Sequence, residues 1–386
     1  MKILIVSDAL HPLQLGGAPR IAWDTAVGLA KRGHTVTVLA AAARDALPKE
    51  HDGVHIQTIK PLSQKTAHYR SVFSTKRARE VIKIVEEVQP DLIHAHVIAW
   101  QCGYRWIPLA RKKNIPVVIT CHDVMAIACG RVAPDEDMIW LKDLGRMGLT
   151  WNPLRNLMIR KILNAHTKVL CVSDALCNFM EARGFTNLTT LHNGVDLDFW
   201  HEECSQEEAR RRLNLPQNIP LFLLAGRLGI DKGSALVNET LPETAHLIVA
   251  GSIDFREIVR IRERMHLFKH QSPEQMRLLY AACDLSLVPS LCLDCFPTVC
   301  LEAMACSRPV IASSWGGAKE AVVNGETGWI IDPLKPAMLR ERMEWCAAHR
   351  HELPAFGRAG RERMEERFSQ ERYLDEMEKV YRTHGE

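Results

Sequence analysis

The sequence has no long apolar run, no low-complexity tract and no dense cysteine framework, and each absence removes a class of protein. Nothing approaches the roughly 20 apolar residues of a membrane-spanning helix. The opening "MKILIVSDAL" has an apolar run without a small-residue cleavage site, so a soluble protein made in the cytoplasm is expected. The 12 cysteines among 386 residues are too sparse for a disulfide scaffold and fit reduced thiols, most of them small core residues. After the first apolar run comes "SDALHPLQLGGAPR", which is not the G-x-G-x-x-G of a dinucleotide site, so a dehydrogenase lacks its fingerprint. No P-loop or kinase motif set appears, and no nucleic-acid partner is expected.

What is present is a globular chain, 47% hydrophobic and 25% charged, long enough for two domains and hence for a cleft. The net charge of +3 is unevenly placed. Residues 1–200 hold 25 Lys+Arg against 18 Asp+Glu, a balance of +7, which leaves 24 against 28, or −4, for the remainder. The first half is therefore the one that favours an anionic partner or surface. Two basic stretches in it, 65–83 and 145–163, suit an anionic acceptor or a bilayer surface, and equally suit solvated helix faces.

Short apolar runs alternate with amphipathic segments. "KILIVSD", a helical stretch stopped at Gly33 and "TVTVLAA" form a βαβ opening. Further strands are predicted at 54–59, 91–96, 116–123 and 168–174, with helices near 75–88, 100–113, 152–164 and 174–183. After a polar, turn-rich stretch near 195–215 the pattern restarts, with strands at 221–227, 245–252, 266–270, 285–290, 308–313 and 328–332. Alternation of this kind predicts parallel sheets covered on both faces. The amphipathic segment 369–385 should dock on something.

In open α/β sheets ligands bind outside the carboxyl ends of the strands. The polar residues collected there are Gly16, Gly17, His94, His96, His122, Asp123 and Ser173 in the first half. In the second they are Arg227, Lys232, Gly251, Asp294 and, on the following helix, Glu302. Arg227 and Lys232, in "AGRLGIDKG", suit a diphosphate whose charge grows as it leaves a sugar. Pro297 is predicted in the first turn of a helix through "TVCLEAMA", so that the amides of Thr298 and Val299, just past Phe296, form an anion site. Glu302, one turn on, suits the two hydroxyls of a ribose, and Asp294 can accept from sugar hydroxyls. His122 reads as a polar contact to a sugar, while His94 and His96 read as sheet-end structure. Cys292, Cys295, Cys300 and Cys306 lack the second close pair of a structural zinc site, and no metal is expected.

Taken in order, "GGAPR", "CHD", "HNGVD", "GRLGIDKG", "PSLCLDCFPTVCLEAMACSRPVIAS" and "GGAKEAVVNGETGWIIDP" resemble the GT-B glycosyltransferases of the large retaining family four, over nearly the whole chain. The most specific match is the E-x7-E element, here Asp294 to Glu302. The resemblance implies an α/β GT-B fold, with two Rossmann-like domains whose parallel sheets face a central cleft. It assigns residues 1–200 to acceptor binding and 201–368 to the nucleotide sugar, with the helix at 369–386 returning to the N-terminal domain.

It also implies a nucleoside-diphosphate sugar as donor, a UDP-sugar before a GDP-sugar, with no cofactor or metal. The acceptor would be a hydroxyl on a sugar, a lipid-linked molecule or a small molecule, with a peripheral membrane contact through the N-terminal domain. Glu302 would hold the ribose, Arg227 and Lys232 the diphosphate; Gly17 would let its loop close on the phosphates, and His122 would lie beside the donor sugar. Reaction would retain configuration by front-face attack.

Three departures stand out. The first acid is Asp294, one methylene shorter than Glu; Pro297 replaces the usual Gly after Phe296; and the segments after Lys232 and Gly251 are short. They keep two alternatives open: a GT-B epimerase or phosphorylase, and a nucleotide-sugar-binding protein with weak catalysis.

Overall fold

The structure is a computed structural model. It describes all residues except 11–15, 44–45, 64–71, 128–151, 228, 253–261, 270 and 386, and it leaves out the side chains of Arg227, Ile230, Ser252, Arg262 and Gly385. Parts of both basic stretches, 65–71 and 145–151, thus lie outside the described residues.

The chain forms two α/β units, residues 1–192 with 373–386, and residues 193–372. In the first unit the strands are β1 (Lys2–Ser7), β2 (Thr35–Ala41), β3 (Glu50–His51), β4 (Val54–Ile59), β5 (Leu92–Ala95), β6 (Val117–Cys121), β7 (Lys168–Cys171) and β8 (Leu188–Thr190). They lie in the order β3-β4-β2-β1-β5-β6-β7-β8, parallel except where β3 meets β4. Ile3, Leu4, Ile5 and Val6 are all fully buried. Their lack of alternation is what helices on both faces of a sheet require. From β1 the chain builds outward through β2 and β4, then returns to add β5 on the other side. The loops after β1 and β5 thus leave the sheet where its winding reverses, the usual ligand crevice of such sheets.

The second unit repeats the plan with β9 (Leu221–Arg227), β10 (His246–Ser252), β11 (Met265–Phe268), β12 (Leu285–Val288), β13 (Val310–Ser313) and β14 (Gly328–Ile331), all parallel. The order is β11-β10-β9-β12-β13-β14. Here the winding reverses between β9 and β12.

Two helical expectations need correction. The helix near 100–113 is confined to Ile107–Arg111, because the amides of Trp100 and Cys102 are drawn to the carboxylate of Asp8, at 2.5 and 2.6 Å, and Gly103 takes a left-handed φ of 70°. The stretch read as turn-rich contains a helix, Gln206–Arg212, whose start is capped by Ser205 on the amide of Glu208. The S-x-x-E spacing at 205–208 is a capping signature. Arg210 of that helix is 1% exposed and reaches Asp284, which also accepts from the amide of Leu221 at 2.7 Å.

The last helix, Gln370–Gly385, buries Tyr373, Leu374, Met377 and Tyr381 in the core of the first unit. Gly28 makes room for it, since a Cβ there would lie 2.6 Å from Leu374. Arg32 with Asp375 at 2.8 Å and His34 with Glu378 at 2.9 Å fix its polar edge.

Candidate active site

In the second unit the turn after β9 is pressed onto the end of β12. Gly233 has a left-handed φ of 80°, and a Cβ on it would stand 2.3 Å from the carbonyl oxygen of Pro289. The amide of Leu291 donates to the carbonyl of Asp231 at 2.9 Å. This seam brings Lys232 to Asp294: the ammonium pairs with Oδ2, which also accepts the Ser290 hydroxyl at 2.9 Å. The glycine pair of "SSWGGAKE" holds the backbone of Asp294 from the other side. Gly317 donates its amide to the Asp294 carbonyl at 2.9 Å, and a Cβ on Gly316 would sit 2.1 Å from that oxygen.

The helix after Asp294 runs Thr298–Ala305, with Pro297 as its N-cap (φ −69°, ψ 117°). The expected position inside the first turn is therefore one residue too far in. Pro297 keeps an extended ψ and only its carbonyl joins the helix, accepting from Cys300 at 3.1 Å. Thr298 and Val299 are the first helical residues, and their amides have no carbonyl four residues back to bond. Phe296 turns its ring into the core beside Phe368, so only its backbone is available to a ligand. Glu302 accepts a hydrogen bond from the buried Tyr280 hydroxyl at 2.9 Å. Arg227 ends β9 opposite Ser252, and its side chain lies outside the described residues. Burial pushes the thiols of Cys300 and Cys306 well up, so both stay protonated.

In the first unit Gly16, with φ 143°, is the N-cap of the helix Gly17–Lys31. His122 follows β6 directly, half-buried, with Nε2 2.9 Å from Nδ1 of His96. It lines a recess with Tyr104, Cys121, Asp123 and the segment 96–99. His94 is wholly buried, its nitrogens engaged by the hydroxyls of Tyr381 at 2.6 Å and Thr120 at 2.8 Å. Ser173 caps the helix Asp174–Glu181, and Gly251, with φ 131°, is placed so that a Cβ would meet Gly226 at 2.0 Å. Among the described residues, then, Lys232 and Asp294 come together, Glu302 is tied to Tyr280, and His122 is tied to His96.

Three participants escaped the sequence reading. Asp8 sits immediately after β1 and obeyed the same strand-end rule that selected the others. Ser290 and Tyr280 had no local signal.

Burial holds His94 down to about 3 and His96 well below the usual imidazole range, and raises Asp8 to about 6. An unfolded imidazole takes up a proton below about 6.5, which these two folded rings refuse. Stability contributed by each is therefore lost as pH falls, by about 2 kcal/mol between pH 6.5 and 5, at about 1.4 kcal/mol per unit. Asp8 works the other way, because its folded form welcomes the proton, and it returns about 1 kcal/mol. His122, which burial holds down to about 4, adds a loss like those of the other two rings, so a net loss of about 4 kcal/mol between these pH values is expected, read by urea unfolding; stability that rises on acidification would contradict it.

Comparison with known proteins assigns the class. Glycosyltransferase Family 4 matches residues 15–199 and Glycosyl transferases group 1 matches residues 205–363. An uncharacterized glycosyltransferase of Methanocaldococcus jannaschii is 23% identical over 353 residues, 87% of this chain and 86% of that protein. Sucrose-phosphate synthase from Thermosynechococcus elongatus superposes with a TM-score of 0.80 at 21% identity, covering 99% of both chains. Anabaena HepE, solved in complex with UDP-glucose, gives a TM-score of 0.76 at 19% identity, covering 99% of this chain and 100% of its own. Two parallel α/β units with these likenesses define the GT-B fold. The chain is a family-4-like glycosyltransferase.

Proposed function

We propose that the chain transfers a sugar from a nucleoside-diphosphate sugar, a UDP-sugar first, to an acceptor hydroxyl with retention of configuration. The observation that carries this reading is the pairing of Lys232 with Asp294 at the winding reversal of the second sheet, four residues before a helix that starts at Thr298. A diphosphate arriving there takes over Lys232 from Asp294 and meets the amides of Thr298 and Val299, with Arg227 as a second cation. As the sugar bond breaks, charge grows on the leaving phosphate, and donors fixed in place stabilise that growth more than the ground state. These cations and amides do the work a metal would do elsewhere.

Asp294, released from Lys232, accepts from hydroxyls of the transferred sugar, and Glu302 accepts from the ribose, oriented by Tyr280. Asp294 and Glu302 thus stand as this chain's form of the E-x7-E element. In the first unit, taken by itself, Gly16 and Gly17 would leave room for phosphates, and His122 would contact a sugar. The acceptor attacks from the face the diphosphate leaves, and the leaving phosphate takes its proton. The relative solved with UDP-glucose supports the choice of base. Residues 201–368 would take the donor, and 1–200 the acceptor, whether sugar, lipid-linked or small molecule. No helix among the described residues is long and apolar enough to cross a membrane, and peripheral contact through the basic first half belongs to the same proposal.

Thermal shift against UDP, GDP and ADP tests the donor, because a ligand that binds only the native state raises its melting temperature. UDP should raise it most; indifference to all three would sink the reading. Tyr280→Phe removes the donor to Glu302 without emptying the core. Hydrogen bonds to charged groups contribute about 1.5–3 kcal/mol, so the donor KM should rise at least about tenfold with kcat little changed.

A further inference from the structure

His96 is 3% exposed, and its Nε2 is a buried nitrogen with no hydrogen-bond partner. Its Nδ1 lies 2.9 Å from Nε2 of His122, with the two rings stacked at 5.2 Å. His94 packs 4.1 Å from His96, but its own nitrogens are taken by Tyr381 and Thr120, so it supplies no acceptor.

Two neutral imidazoles in such contact share one proton: one ring donates and the other accepts. Were His122 the donor, His96 would carry its own proton on Nε2, as a buried N–H with nothing to receive it. Orphaned buried N–H groups are rare and costly, whereas a bare ring nitrogen leaves only a lone pair unmet. The proton of His96 therefore sits on Nδ1 and points at His122. Burial, which holds His122 down to about 4, keeps that ring neutral as well. With its Nε2 accepting, His122 must carry its one proton on Nδ1, a nitrogen that no group among the described residues engages, on a ring that is only half-buried.

We propose that His96 is a positioning residue that fixes His122 in its Nδ1–H form, so that His122 offers the substrate a hydrogen-bond donor and not a base. The proposal rests on the reading of His122 as the contact to the transferred sugar and adds what kind of contact it is. An Nδ1–H suits a hydroxyl oxygen acting as acceptor; it cannot remove a proton from the attacking group.

Long-range nitrogen–proton NMR on the full chain with isotopically labelled histidine reads the tautomer directly, with His122 identified by the signals lost in His122→Gln. The expected spectrum shows a protonated Nδ1 and a bare Nε2 on His122. His96→Asn, whose amide nitrogen can stand in for Nδ1 as donor, should keep that tautomer and hold kcat within about threefold. His96→Leu should release it, and kcat should fall about tenfold or more while the donor KM moves less. Melting temperatures of both variants separate this from loss of fold, and His96→Asn decides the matter if His96→Leu is unstable.

A wild-type His122 protonated on Nε2, or a tautomer that His96→Leu leaves unchanged, overturns the proposal. Normal transfer by His122→Gln, with the tautomer as stated, overturns the sugar-contact reading instead.

Discussion

Lys232→Ala should lower kcat/KM for transfer by about a hundred- to a thousandfold, the usual cost of removing one fixed donor from a developing anion. Lys232 is the one cation whose side chain is described at this site, and the seam between Gly233 and Pro289 holds it in place. Its pairing with Asp294 makes the outcome diagnostic. The Lys232 side chain is 28% exposed and that of Asp294 14%, so leaving Asp294 without its cation costs some stability, and the melting temperature, read beside activity, separates that loss from the catalytic one. Glu302→Ala should weaken the donor through the ribose instead, raising KM more than it lowers kcat. Steady-state transfer with the donor varied distinguishes the two, and full activity in both would remove the donor site from this part of the molecule.

Asp284→Ala should cost about 3–5 kcal/mol of stability, since it strands a buried cation. Asp284, 6% exposed, holds Arg210 at 2.9 Å and Arg350 at 3.1 Å, and it accepts the first amide of β9 at 2.7 Å. Removing it leaves the guanidinium of Arg210 unpaired and an amide without its acceptor. At about 2–4 °C per kcal/mol for a domain of this size, the melting temperature should fall by roughly 10 °C. Arg211→Ala, one residue along but on the solvated face where among the described residues it pairs with Glu207 and Glu208, should melt as the wild type does. A small loss in Asp284→Ala would mean that water reaches Arg210 after all.

The strands were legible where burial acts on consecutive residues. "LFLLAGR" became β9 to the residue because a strand covered on both faces is apolar over its length, and "VHIQTI" became β4 to the residue by alternation instead, with Val54 and Ile56 buried and His55 and Gln57 exposed. The helix at 206–212 was missed because its polar face dominates the sequence, although S-x-x-E at 205–208 announced it. The helix at 100–106 failed for another reason: a carboxylate more than ninety residues earlier claims its amides, and local periodicity holds no record of that.

By itself the sequence determined two parallel α/β halves, the strand-end polar residues worth examining, and an acid eight positions before a helical glutamate. These follow from chemistry within a few residues along the chain. Only tertiary structure decided which of those groups meet: Lys232 with Asp294, Tyr280 with Glu302, and His96 with His122. The first and last of these form where neighbouring strands end side by side, and which strands are neighbours is set by how the whole sheet winds, while the second joins two helices, Pro273–Ala282 and Thr298–Ala305. The protonation state of His122 depends on one nitrogen of a residue 26 positions away that found no partner.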